Sequence, residues 1–145
     1  MSIVEELFGT DNLISKNGEV KPDVVNEGKL IGLYFSMHNC PPCREFTPVF
    51  VELYNEINAD GKTMEVVFLS GDRTQEEFDT YYGEMPWLAL PKGDPRLAPI
   101  AKKYDVKGVP RLIVVKPDGT VLDQNGVRKI TDEGPGAIEE YLSKL

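Results

Sequence analysis

Leu30-Ile31-Gly32-Leu33-Tyr34-Phe35 carries no charged residue at any position. A strand with one wet face alternates apolar with polar residues, whereas an unbroken apolar run suits a central strand covered on both faces. Met64-Glu65-Val66-Val67-Phe68-Leu69 reads as a second such strand and Leu112-Ile113-Val114-Val115 as a third. Strands of this kind need helices on both sides of their sheet. Phe46, Val49, Phe50, Leu53 and Ile57 repeat at helical spacing and define one buried face, with Pro48 predicted to kink the helix. Thr74 to Glu77 has the spacing of a capping box, Pro95 to Tyr104 reads as helical with Leu97, Ile100 and Ala101 inward, and Ala137, Ile138, Tyr141, Leu142 and Leu145 mark a last amphipathic helix. A short helix up to Leu7-Phe8 opens the chain. Asn17-Gly18 joins two strand-like pieces into an N-terminal hairpin, and Pro117-Asp118-Gly119 turns the third strand back through Thr120-Val121-Leu122. The predicted fold class is α/β: a central mixed β-sheet sandwiched between helices, with an N-terminal β-hairpin extension, in a single domain over residues 1–145.

Composition limits the partners. Acidic residues outnumber basic ones 24 to 16, for a net charge of −8. A chain this acidic lacks the clustered cations that phosphate contacts and anionic membranes require, so neither nucleic acid nor membrane is expected as a partner. No apolar stretch approaches the roughly 20 residues of a spanning helix. The first residues, Met1-Ser2-Ile3-Val4-Glu5-Glu6, lack a basic start and a long apolar stretch, which predicts a cytoplasmic, reducing setting. The chain has 2 cysteines, too few for a disulfide framework.

Those cysteines are Cys40 and Cys43, in Cys40-Pro41-Pro42-Cys43, where the first buried strand meets the proline-containing helix. Two thiols three residues apart in a helix's first turn are neighbours and can close a small disulfide ring. At the helix start the Cys40 sulfur faces free amides and the positive end of the dipole, which favour thiolate over thiol. Pro41 suits the first helical position, and Pro42 removes a second donor, leaving the Cys43 amide as the main near partner of the Cys40 sulfur. Redox activity is the chemistry that this placement predicts. Zinc would find three ligands in the cysteines and His38, where a closed site needs four. A structural disulfide over so short a loop constrains little of the unfolded chain. A redox-silent pair is the third alternative. His38, the chain's 1 histidine, either tunes the Cys40 thiolate or sits solvated in its loop. Gly108-Val109-Pro110-Arg111 leads into the third strand, with proline tolerated at a strand start and a cis bond rare by composition.

The stretch Phe35-Ser36-Met37-His38-Asn39-Cys40-Pro41-Pro42-Cys43-Arg44-Glu45-Phe46-Thr47-Pro48 resembles the active-site segment of the tryparedoxin and nucleoredoxin branch of the thioredoxin superfamily. Met85-Pro86-Trp87-Leu88-Ala89-Leu90-Pro91 is similar to a second hallmark of that branch. Ser70-Gly71-Asp72-Arg73 is more similar to nucleoredoxin, since tryparedoxin tends to carry Trp at the position of Gly71. The likeness runs from about Leu13 to the C-terminus. It implies the thioredoxin fold and thiol–disulfide exchange, with Cys40 attacking, Cys43 resolving, Pro41 and Pro42 shaping the helix start, and Val109–Pro110 forming the cis-proline loop. Pro48 matches the family's helix kink, and Tyr34 stands where ordinary thioredoxins have a buried acid, as it does in tryparedoxins. Two positions depart from the pattern. Asn39 replaces an exposed Trp before the first cysteine, and Arg111 replaces a Thr after the cis-proline. Asn39, Trp87 and Arg111 are the candidates for the substrate groove. Arg111 either adds charge there or snorkels at the strand end.

The resulting expectation is a protein-disulfide reductase without a bound cofactor or metal. An external reductant (a thioredoxin system, glutathione or a small dithiol) would recycle it, and disulfide-bearing proteins such as peroxiredoxins would be its clients. The alternative is a redox-regulated binding module, whose Cys40–Cys43 disulfide switches a partner contact without turnover. An oxidising isomerase fits less well with the expected reducing setting.

Overall fold

In the computed structural model, which describes residues 2–145, the predicted central strands pair as β3 (Leu30–Ser36) and β4 (Met64–Ser70). They run parallel, in register from Leu30 opposite Met64 to Ser36 opposite Ser70, and every residue of both is buried. β6 (Arg111–Val115) lies antiparallel on the other side of β3 and is followed by β7 (Val121–Asp123). β1 (Leu13–Ser15) and β2 (Gly18–Val20) form the N-terminal hairpin, in which Gly18 takes the positive φ of 114°. A two-residue strand, β5 (Leu88–Ala89), joins that hairpin to β4, and the sheet order is β2-β1-β5-β4-β3-β6-β7.

Side chains alternate along β3 even though both of its faces are apolar. Leu30 and Tyr34 point into one core with Phe50, Phe68, Trp87 and Tyr141, under α2 (Pro41–Ile57), α3 (Gln75–Tyr82) and the C-terminal helices. Ile31, Leu33 and Phe35 enter the opposite core with Val4, Phe8 and Ile100, from α1 (Ile3–Phe8) and α4 (Leu97–Lys103). Glu65 interrupts the apolar run of β4 and is 5% exposed. Its carboxylate accepts from the Tyr54 hydroxyl at 2.9 Å and the Val66 amide at 3.0 Å, with the Lys62 ammonium at 3.4 Å. Burial, more than the neighbouring carboxylate, pushes the Tyr54 phenol well above its ordinary range. On the far side, Arg96 ties the N-terminal segment down, donating to the carbonyls of Phe8 and Asp11 at 2.7 Å and of Asn12 at 2.9 Å while paired with Asp94.

Several details differ from the expectation. Helix α5 (Gly126–Glu133) precedes α6 (Pro135–Leu142), and Gly134, with φ 56°, breaks the helix between them. α5 has a short apolar face, formed by Val127 and Ile130 against the core. It lies close to β6, where a Cβ on Gly126 would stand 2.9 Å from Leu112 Cδ2. A 3-10 helix, Pro22–Glu27, is a further addition, with Pro22 at its first position and Gly28 just past its end. Val49 and Leu145, predicted inward, are 49% and 53% exposed. α4 starts at Leu97, two residues after the predicted Pro95, and only Ile100 of its three predicted inward residues is fully buried. Pro48 lies inside α2, as the helical spacing around it predicts. Among the described residues, no helix is long and apolar enough to cross a membrane.

Candidate active site

β3 ends at Ser36, and the loop Met37–Asn39 carries the chain to the start of α2. Cys40 is the N-cap, in extended conformation at φ −143°, with Pro41 beginning the helix as expected of a residue with no amide proton to satisfy. The Cys43 amide donates to the Cys40 sulfur at 3.3 Å, the one contact that two prolines leave available. The sulfurs of Cys40 and Cys43 are joined in a disulfide, with Cα atoms 5.2 Å apart. Their exposure differs: Cys40 is half-buried, while Cys43 is 0% exposed beneath the first turn. Pro41 and Pro42 are exposed beside them. The Val109–Pro110 bond is cis, and the Val109 carbonyl oxygen lies 3.8 Å from the Cys40 sulfur. Cys40, Cys43, Val109 and Pro110, which are distant in sequence, therefore meet at one point of the surface.

Two polar supports hold this point, and neither has a local signal in the sequence. The first is Asp72, which is 8% exposed. One of its carboxylate oxygens accepts the His38 amide at 2.6 Å, and the other accepts the Ser70 hydroxyl at 2.7 Å. The loop before Cys40 is thus latched to the end of β4. The second is a cluster of four hydroxyls beneath Cys43. Thr47 donates to the Cys43 carbonyl at 2.8 Å. Its oxygen also meets the phenols of Tyr34 and Tyr81, each at 2.6 Å, and Tyr81 in turn meets Ser36 at 2.5 Å. Burial drives the Tyr34 phenol far above its ordinary range, with Tyr81 adding to the effect. So the position of the usual buried acid holds a neutral hydroxyl. The His38 ring stands edge-on to Tyr81, with centroids 5.8 Å apart.

A groove of about 990 Å³ opens beside Cys40, lined by His38, Asn39, Pro48, Glu52 and Glu84 among others. Asn39 is exposed at its rim, and its side-chain amide donates to the Glu77 carboxylate, which also accepts the Arg73 amide at 3.3 Å. Trp87, expected in the groove, is instead a core residue at 1% exposure. Its ring packs against Phe50, Tyr54 and Tyr34, with centroids 4.8, 5.4 and 5.8 Å apart, because the short β5 carries this segment into the sheet under α2. Arg111 lines a smaller concavity of about 420 Å³ with Gly108, Val109, Pro110 and Asn125. Among the described residues there is no cluster of three side chains able to hold a metal ion.

Residues 28–121 match the family described as thioredoxin-like. The chain belongs to that family. The thioredoxin-like chain is 47% identical over 121 residues to probable nucleoredoxin 1 of Arabidopsis thaliana, covering 81% of itself but 21% of that protein. It is 39% identical over 138 residues to tryparedoxin of Trypanosoma brucei brucei, covering 93% of itself and 94% of that protein. The solved structure of tryparedoxin from Trypanosoma brucei superposes with a TM-score of 0.84 at 37% identity, covering 94% of this chain and 96% of that one. The thioredoxin fold expected from the sequence is therefore the fold of this chain, and the branch resemblance holds. The chain spans about a fifth of the nucleoredoxin it matches and nearly all of tryparedoxin.

Proposed function

We propose that this thioredoxin-like chain reduces protein disulfides by dithiol exchange. The observation that carries the reading is the asymmetry of the pair: one accessible sulfur at a helix N-cap beside the Val109 carbonyl, with the other fully buried behind it. In the reduced state the Cys40 thiolate attacks a client disulfide, forming a mixed disulfide and releasing one client thiolate. Cys43, as thiolate, then attacks the Cys40 sulfur. The Cys40–Cys43 disulfide forms, and the second client sulfur leaves as thiolate and takes up a proton. The client gains two electrons and the chain loses two. An extended client strand would align on the exposed backbone of the Gly108–Val109 loop. A thioredoxin system, glutathione or a small dithiol returns the electrons in a cytosolic setting, and peroxiredoxin-like proteins are candidate clients.

Reduction of insulin with each of these reductants in turn tests turnover. A chain that binds partners in one redox state yet reduces no insulin would instead be a redox-regulated binding module. Trapping tests the roles: Cys43→Ser should accumulate mixed disulfides through Cys40, and Cys40→Ser should accumulate none. Equal trapping by both variants would refute the assignment. The couple should titrate reversibly between about −180 and −270 mV, the span from isomerase-like to thioredoxin-like proteins.

A further inference from the structure

Arg111 follows the cis-proline and enters β6 opposite Phe35. Its guanidinium is held from one side: Nε donates to the Gln124 carbonyl at 2.6 Å, and one terminal nitrogen lies 3.5 Å from the Gln124 side-chain oxygen. Among the described residues it has no carboxylate partner, although acidic residues outnumber basic ones in this chain and nine ion pairs form elsewhere. The anchored edge fixes the group's position, and the remaining terminal N–H groups have no protein acceptor. Arg111 shares its concavity with Val109, whose carbonyl is 3.8 Å from the Cys40 sulfur, and with the exposed Asn125, whose side-chain amide makes no protein hydrogen bond. The larger groove beside Cys40 carries Arg44 with Glu45, Glu52 and Glu84. The concavity that reaches Cys40 through the Val109 carbonyl therefore offers an oriented cation and no carboxylate. A planar fork with free N–H groups is suited to a carboxylate.

We propose that Arg111 is a specificity-determining residue that receives the carboxylate of a small thiol reductant, so that the oxidised chain prefers carboxylate-bearing peptide thiols such as glutathione to uncharged thiols. This rests on the disulfide-exchange reading above and names the reductant's chemistry. The first thiolate attacks the Cys40 sulfur and forms a mixed disulfide, and Cys43 leaves as thiolate. A second thiolate attacks the sulfur of the bound reductant, and Cys40 leaves as thiolate. Two thiols become one low-molecular-weight disulfide. The chain gains two electrons, and its two sulfurs take up the two protons that the thiols gave up.

The test uses the full oxidised chain and two probes, glutathione and its dimethyl ester, in which both carboxylates are masked. Rate constants for loss of the Cys40–Cys43 disulfide are each divided by the same thiol's rate with hydroxyethyl disulfide, which removes differences in intrinsic reactivity. The expected result is a normalised preference for glutathione of about tenfold in the wild type, the scale of one charge-assisted contact. The preference should fall to near one in Arg111→Gln and be intermediate in Arg111→Lys, which keeps the charge and loses the fork. A wild-type ratio near one, or a ratio that survives Arg111→Gln, overturns the proposal while leaving disulfide exchange standing. If Arg111→Gln slows insulin reduction but leaves the ratio intact, the carboxylate belongs to protein clients and the proposal is wrong. If neither thiol nor dithiothreitol reduces the wild-type disulfide, the exchange reading falls with it.

Discussion

Replacing Tyr81 with Phe removes one oxygen from the cluster beneath Cys43 and leaves the ring in place. The lost hydroxyl meets Ser36 at 2.5 Å and Thr47 at 2.6 Å. Thr47 keeps Tyr34 and the Cys43 carbonyl as partners, but the Ser36 hydroxyl, at 0% exposure, keeps none. A lost hydrogen bond costs about 0.5–1.5 kcal/mol net, and a buried polar group left without a partner adds about 1–3 kcal/mol. Tyr81→Phe should therefore destabilise the oxidised chain by about 1.5–4.5 kcal/mol. Tyr34→Phe strands no partner, because Thr47 retains Tyr81 and the Cys43 carbonyl, so it should cost only about 0.5–1.5 kcal/mol. Adding Ser36→Ala to Tyr81→Phe removes the stranded hydroxyl, so the double variant should be more stable than the sum of the single effects by at least about 1 kcal/mol. Urea unfolding of the oxidised wild type, the three single variants (Ser36→Ala included) and the double variant gives these values from midpoints, provided the slopes agree. Tyr34→Phe costing as much as Tyr81→Phe, or additivity within about 0.3–0.5 kcal/mol, would show that the hydroxyls do not act as one network.

Asn39→Trp exchanges a small hydrated rim for a rigid aromatic contact and should lower the apparent KM for a protein disulfide client, with the pH profile of Cys40 alkylation unmoved. An altered profile with an unaltered KM would place residue 39 in the thiol chemistry instead. Hydrogen bonds from Arg96 hold the Asp94 carboxyl below its ordinary 3.8, so its contribution is present at neutral pH and lost as pH falls through that lowered value. Asp94→Asn should accordingly lower the unfolding midpoint at pH 7, with the gap to wild type narrowing in strong acid. Burial and Glu6 push the Tyr104 phenol up to about 12 from 10.0, and Tyr34, Tyr54, Tyr82 and Tyr141 are also raised. Stability should be fully present below pH 10 and fall as pH climbs through 10 to 12, with tyrosinate absorbance appearing together with unfolding.

How much of this was legible beforehand depended on whether a signal was local. Asn17-Gly18 marks the hairpin one residue late, since Lys16 and Asn17 make the turn and Gly18, at φ 114°, pairs with Ser15 as the start of β2, whereas Thr74 caps α3 by accepting the Glu77 amide at 3.1 Å, as its spacing predicts. The Glu77 carboxylate does not close the box: it reaches the Arg73 amide and Asn39, a choice that only the approach of α3 to the Cys40 loop makes possible. Cys40 and Cys43 were readable because strand, thiols and helix are contiguous. Pro110 needed the family likeness, since its partner lies 70 residues away. Asp72, Thr47 and Tyr81 were invisible as supports because hydroxyls and carboxylates are common: Thr47 sits one turn after Cys43 on α2, but only the packing of α3 brings Tyr81 to it, and only the end of β4 brings Asp72 to the His38 amide. Trp87 misled for the opposite reason: a marked position in a motif does not say which side of the sheet its ring will enter.

The sheet tapers. Its two middle strands are 7 residues long, and its outermost strands, β2 and β7, are 3 each. Long flat edges invite strand addition from neighbouring molecules, and short ones offer too few unpaired amides to nucleate it. Lys21 and Pro22 follow β2 directly, adding a charge and a residue unable to donate. For a chain proposed to align client strands on its backbone, edges this short also limit pairing with its own copies. The sheet thus keeps its long runs of backbone amides in the interior and offers a neighbouring molecule only three residues at either edge.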